Sequence, residues 1–382
     1  MADNSSATPG NPFKDEETYQ LYLFIKHSQT TLIPFICGIG FAANIVSLIV
    51  FMQPSLRRLS CSVYLAVKSV SDFLFLTTAF VIWLTRIQIG LFNMEGVCQL
   101  VIFFSYLSAF VSIWLTVVLT VENLLCVLKP LYVQRSCNAT SAIVLTASII
   151  LLGVVLYQFS LWNNGVQEPL SHIVNPQTTF NKGNSTITKY ENESKLNLSS
   201  HEGLSKLVTV ENDTLLSMSN TTDVVPGKVC SPLKQYETFI WAITYLDSLI
   251  TIFVPMIILA VTNTAIVVIA MRSTRRTKMR HKDTTMYQLQ GGCHKGKKQS
   301  TAAALETQAS KFLFLVSVTM LVFHSPSHVI RLKMMVSYSG MEVILQIVFE
   351  TVYYTHYAIS FFVYLVFGSN FRRVFLSLVT RR

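Results

Sequence analysis

The chain has 382 residues, of which 51% are hydrophobic and 13% are charged, and it carries a formal net charge of +10. Soluble domains carry roughly 25% charged residues, so the composition argues against a soluble enzyme. Nucleic-acid binding is the weaker reading of the positive charge, which is expected to mark membrane loops.

In chain order, seven apolar stretches are each long enough to cross a bilayer, which takes about 20 residues. They are Thr31–Met52, Cys61–Thr85, Glu95–Leu128, Ala142–Trp162, Thr238–Met271, Thr307–Met334 and Glu342–Phe367. Backbone groups in lipid must be bonded internally, so each is predicted to be a helix. The expected fold class is an all-α membrane protein, a seven-transmembrane helix bundle forming one domain over residues 31–367. Residues 1–30 read as a polar extracellular tail without a signal peptide, so the first helix is expected to act as its own insertion signal. Within 368–382, Phe371, Val374, Phe375, Leu378 and Val379 recur at helical spacing beside Arg372 and Arg373, which predicts a short amphipathic helix on the inner leaflet. No internal repeat supports a transporter built from inverted halves.

Orientation follows from charge, because Lys and Arg are enriched in cytoplasmic loops. The region 272–306 is strongly basic, with Arg272, Arg275, Arg276, Lys278, Arg280, Lys282, Lys295, Lys297 and Lys298 against Asp283 and Glu306. Arg57 and Arg58 follow the first stretch, and Arg372 and Arg373 follow the seventh. These lie on one side if the helices alternate, which puts the N-terminus outside. The loop 163–237 then faces outward, and it carries glycosylation signals at Asn184, Asn192, Asn197, Asn212 and Asn220, with another at Asn4 in the tail. Asn138-Ala139-Thr140 falls on the opposite side and should stay bare. Among the seven cysteines, Cys98 and Cys230 face the oxidising side and are expected to pair.

With these features the chain resembles the rhodopsin-like G-protein-coupled receptors over roughly residues 31–380. Asn44 stands at the asparagine position of the family's first helix, and Ser71-Asp72 at the acidic position of its second. Cys98 and Cys230 match the family's bridge. Glu122-Asn123-Leu124 occupies the place of the Asp/Glu-Arg-Tyr motif. Pro255 and Pro326 match the prolines of helices 5 and 6, and Tyr364 matches the tyrosine of Asn-Pro-x-x-Tyr. The stretch Ser325-Pro326-Ser327-His328-Val329-Ile330-Arg331 is similar to invertebrate neuropeptide receptors of the FMRFamide-receptor-like group. The departures touch switching parts: Asn123 replaces the motif arginine, His324 the helix 6 tryptophan, and Ser360-Phe361 the helix 7 Asn-Pro pair.

An ionisable residue inside a membrane is a functional hypothesis. The resemblance places Asp72, Asn44 and Ser112 at a sodium site. Lys68 lies four residues before Asp72 on the same helix face, so it either replaces sodium as a tethered counter-ion or snorkels to the interface. His324, His356 and Ser360 would line the same central cavity. They are read either as a pH-sensitive group or as neutral core residues, and no His/Cys cluster has metal-ligand spacing.

The outer pocket is expected to hold Asp247, Arg331 and Glu350, with Trp83, Ser105, Tyr106, Gln346, Tyr353 and Tyr354 at pocket-lining positions of the family. Two acids and one arginine suit a short, amidated peptide with a basic residue, or else they pair among themselves. The seventh stretch has no lysine for a retinal Schiff base, and Ser105 stands where amine receptors have an aspartate. The region of Glu122, Asn123, Leu124 and Tyr364 is expected to meet a heterotrimeric G protein.

The function expected is therefore a plasma-membrane receptor for a short neuropeptide. A chemosensory receptor, a binding-only receptor and, less well supported, a channel or transporter stand as alternatives. No nucleophile–base pair, phosphate loop or cofactor motif suggests an enzyme.

Overall fold

The computed structural model describes residues 15–128, 138–167, 228–287, 297–336 and 339–380. The glycosylation signals at Asn4, Asn184, Asn192, Asn197, Asn212 and Asn220 lie outside the described residues. Helices dominate: α1 (Glu16–Phe51), α2 (Ser60–Leu84), α3 (Val97–Leu128), α4 (Ala139–Tyr157), α5 (Glu237–Ser248), α6 (Val254–Tyr287), α7 (Lys297–Val336), α8 (Gly340–Phe367) and α9 (Ser369–Val379). Among the described residues, six helical segments are long and apolar enough to cross a membrane, or seven if the bent pair α8 and α9 counts as one span. Those two helices meet at 93°. Large apolar side chains stand exposed along the bundle, including Phe35 and Ile39 of α1, Val144, Leu151 and Val155 of α4, and Ile257 and Val261 of α6. An apolar exterior of this extent is compatible with a helical membrane protein and out of place on a soluble monomer.

The helices pack as a bundle in which α1 lies against α2 and α8, α7 against α8, and α3 touches α2, α4, α6 and α7. Two glycines allow close approach. A Cβ at Gly40 would collide with Leu76 of α2 and press on Ala358 of α8, and a Cβ at Gly153 would come 2.7 Å from Leu107 of α3. Small residues at such crossings let backbones approach where no water-driven term holds the helices together. Asn138 caps α4 by accepting from the Ser141 amide at 2.9 Å.

Several boundaries differ from the sequence reading. Helix α1 starts at Glu16, well before the apolar stretch, because Tyr22 is buried against Ile330, Met334, Val343 and Ile344 of α7 and α8. The basic region 272–306 is largely helical, since α6 runs on to Tyr287 and α7 begins at Lys297. Long unbranched basic side chains lose little freedom in a helix. The fifth stretch is interrupted by a π-helical turn, Leu249–Phe253, just ahead of Pro255, which has no N–H to donate.

The ends of the loop 163–237 form an antiparallel ribbon of β1 (Asn164–Gln167) and β2 (Val229–Pro232), with Val166 opposite Cys230. The Cys98–Cys230 disulfide, with its Cα atoms 5.7 Å apart, fastens β2 to the head of α3. Asn93 adds a side-chain acceptor for the Cys230 amide at 3.1 Å.

Candidate ligand pocket and polar core

The polar core begins with Lys68 and Asp72, one turn apart on α2. Both are buried, at 1% and 0% exposure, and the ammonium lies 2.6 Å from Asp72 Oδ2. Lys68 also donates to Ser112 Oγ at 3.0 Å, and Ser112 in turn donates to Asp72 Oδ1 at 2.6 Å. Ser360 of α8 donates to Asp72 Oδ2 at 3.4 Å. A buried charge persists only when paired and hydrogen-bonded, and here the carboxylate has donors from α2, α3 and α8. The interface reading of Lys68 is therefore corrected: its stem does not reach an exposed end but folds onto Asp72. Asn44 is engaged elsewhere, donating to the Tyr357 carbonyl at 2.9 Å and so joining α1 to α8.

Toward the disulfide end lie His324 and His356, each 2% exposed, with ring centroids 4.6 Å apart. Tyr353 and Tyr357 share a hydrogen bond at 2.8 Å, and Phe75 stacks on Tyr357 at 4.0 Å. Among the described residues no group of three or more His, Cys, Asp or Glu is arranged to hold a metal ion.

Further toward that end stand the expected pocket charges Arg331, Asp247 and Glu350, on α7, α5 and α8. Arg331, Asp247, Gln346, Glu350, Tyr353 and Tyr354 are all half-buried. Asp247 accepts from the Tyr157 hydroxyl at 2.6 Å and Glu350 from Tyr354 at 2.8 Å. Gln346 reaches Ser327 at 3.5 Å. Ser105 is half-buried on α3, and Tyr106 stacks on Tyr157 with centroids 5.4 Å apart. Trp83 is drawn to the α1 side, where its indole donates to the Thr30 carbonyl at 2.7 Å.

At the opposite end, Glu122 accepts a hydrogen bond from Ser60 at the start of α2. Asn123 and Tyr364 are buried and Leu124 is half-buried. Tyr364 packs edge-on to Phe51 and Phe371, with centroids 5.3 and 5.7 Å away, tying α1, α8 and α9 together. Ser317 of α7 donates to Asn263 of α6 at 2.9 Å. Of the residues expected to meet a partner, Asn123 and Tyr364 are thus built into the bundle, while Glu122 and Leu124 are half-buried.

Sequence reasoning missed Tyr157, Ser60, Asn263 and Ser317, none of which carries a local signature. It also left His328 out of the cavity, although its spacing of four from His324 puts both on one face of α7. No protein-family model matches the chain, and no curated protein matches it.

Proposed function

We propose that the chain is a seven-span plasma-membrane receptor with its N-terminus outside, which binds a short amidated peptide carrying a basic residue and signals to a heterotrimeric G protein. In this reading α8 is the seventh span and α9 lies on the inner leaflet, its apolar residues toward lipid and Arg372 and Arg373 toward headgroups. The observation that carries the reading is that two half-buried carboxylates, Asp247 and Glu350, are each held by a tyrosine hydroxyl, at 2.6 and 2.8 Å, at the end of the bundle where the disulfide tethers the ribbon. Half-buried carboxylates beside aromatic walls suit a cationic ligand group. Ligand binding there would shift the helix equilibrium and be read at the far end.

The buried Asn123 favours a second reading, a receptor of the same fold that binds ligand with altered G-protein coupling or none. A chemosensory ligand is the other variant of this fold. Calcium and cAMP readouts in cells expressing the chain, challenged with a library of amidated peptides, test the proposal. A saturable response lost in Glu350→Gln is expected. Silence at confirmed surface expression would refute the signalling receptor for such peptides.

A further inference from the structure

We propose that the part of α1 ahead of Pro34 is a clamp that holds the disulfide-side ends of α7 and α8 in the arrangement described here, and that releasing it raises the resting signal. The clamp stands on contacts within the bundle, and its effect on signalling rests on the receptor reading.

Helix α1 has 36 residues, about 54 Å at 1.5 Å each, whereas crossing lipid takes about 20. The surplus, residues 16–30, precedes the apolar stretch, and a free helix of that length is marginal in water. Its support comes from one face. Tyr22 and Gln29, at 2% and 3% exposure, continue the buried stripe of Ile33, Cys37, Gly40 and Asn44 along α1. Tyr22 shares one buried cluster with Ile330 and Met334 of α7 and with Val343 and Ile344 of α8. Gln29 Nε2 donates to the Ile347 carbonyl of α8 at 3.3 Å.

A break in the helical hydrogen bonds sets this segment off from the rest of α1. Pro34 has no N–H, so the Thr30 carbonyl one turn back loses its helical donor. The Trp83 indole of α2 takes that place at 2.7 Å. Arg86, in the turn after α2, donates to Gln29 Oε1 at 2.7 Å and reaches Thr30 Oγ1 at 3.5 Å. Gln29 thus accepts from the α2 side and donates to α8. A helix bends most readily at a proline, and here two donors from the end of α2 pin the bend.

The ends that the clamp touches are also tied to each other, since Lys333 of α7 lies 3.1 Å from the buried Glu342 of α8. Moving the end of α7 away must therefore draw Ile330 and Met334 off Tyr22 or bend α1 against Trp83 and Arg86. On the other side of Pro326, the same α7 is bonded to α6 through Ser317 and Asn263. The clamp and that bond hold one arrangement of α7 from both sides of its own proline, so loss of either should favour the alternative arrangement.

Hydrogen exchange of the purified full chain tests the clamp, and basal signalling per receptor at the cell surface tests its consequence. Tyr22→Ala is expected to speed exchange at least about tenfold in residues 330–334 and 340–347, with α3 and α4 at the parental rate. Tyr22→Phe, which keeps the ring, should match the parent. Trp83→Phe removes the donor to Thr30 but keeps an aromatic ring, and should speed exchange in the same residues by a smaller factor. Tyr22→Ala and Trp83→Phe should each raise basal signal at least about twofold. Faster exchange confined to α1, or spread evenly through the bundle, overturns the clamp. Faster exchange at the ends of α7 and α8 with basal signal and peptide response unchanged overturns its effect on signalling and leaves the peptide receptor standing. Silence of parent and variants alike, with or without peptides, sinks the receptor reading and the signalling effect together, while the exchange pattern still decides the clamp.

Discussion

The Lys68 ammonium lies 2.6 Å from the Asp72 carboxylate in the fully buried centre of the bundle, with Ser112 bonded to both. A tethered cation therefore occupies the place where the resemblance implies a sodium ion. An ammonium that close supplies the positive charge directly and at fixed stoichiometry. Agonist affinity in the unmodified chain is expected to be indifferent to replacing sodium by a large organic cation. Lys68→Leu leaves Asp72 buried without its partner, at a cost of about 3–5 kcal/mol. That variant should either lose thermal stability or recover it on adding sodium, with a new sodium effect on affinity. The double change of Lys68→Leu and Asp72→Leu should be more stable than the single one. A Lys68→Leu protein as stable as the parent and blind to sodium would show that the pair holds no structural charge.

Glu350 is fixed by the Tyr354 hydroxyl at 2.8 Å, one turn along α8. If it receives the basic group of the ligand, Glu350→Gln removes the charge but keeps an acceptor for Tyr354. Hydrogen bonds to a charged partner contribute about 1.5–3 kcal/mol, so the response curve should move about tenfold or more to higher concentration. Surface expression should stay near that of the parent. Tyr354→Phe should have a smaller effect, because it only frees the carboxylate to move. Equal loss in the two variants would point to a structural pair rather than a ligand contact.

That long apolar helices would form could be read from the sequence, because about 20 uninterrupted apolar residues have few other uses, and among the described residues six such helices are found, or seven if α8 and α9 count as one span. Their ends could not, because a helix runs past its apolar stretch wherever tertiary packing or propensity carries it. Tyr22 extends α1 by burying itself against α7 and α8, and the basic residues after Met271 remain helical. The same division holds in the site. Lys68 and Asp72 are four apart on one helix, so their meeting is a matter of local geometry. Tyr157 meets Asp247, and Ser60 meets Glu122, across sequence separations of 90 and 62 residues, and nothing local announces such contacts. The strands Asn164–Gln167 and Val229–Pro232 were missed for a related reason, since four residues are too few for alternation to show.

The Cys98–Cys230 bridge closes a long segment of chain, its two cysteines separated by 132 positions in sequence. Disulfides that close long loops contribute about 2–5 kcal/mol. This one also positions the β2 strand over the head of α3. A membrane-impermeant reductant applied to intact cells is expected to reduce ligand response and lower the thermal stability of the purified chain. Cys98→Ser and Cys230→Ser should each reproduce that effect, and their combination should add little to either. An additive double mutant would mean that the two cysteines act independently.

Ser317, midway along α7, and Asn263, in the first third of α6, make a neutral bond at 2.9 Å between the two helices. Any motion that parts these helices there must break it. One such bond contributes about 0.5–1.5 kcal/mol net, so losing it should raise the population of the parted state by about two- to tenfold. Ser317→Ala is expected to raise basal signalling in cells and to lower the melting temperature, because Asn263 Oδ1 is left buried without its donor. Pairing Ser317→Ala with Asn263→Leu removes both partners, so much of the lost stability should return while the raised basal signal persists. The two readouts separate tether from packing. If stability and basal activity fall and recover together across the series, the bond only holds the helices in place. If basal activity stays high in the double variant, the bond restrains the resting arrangement of α6 and α7.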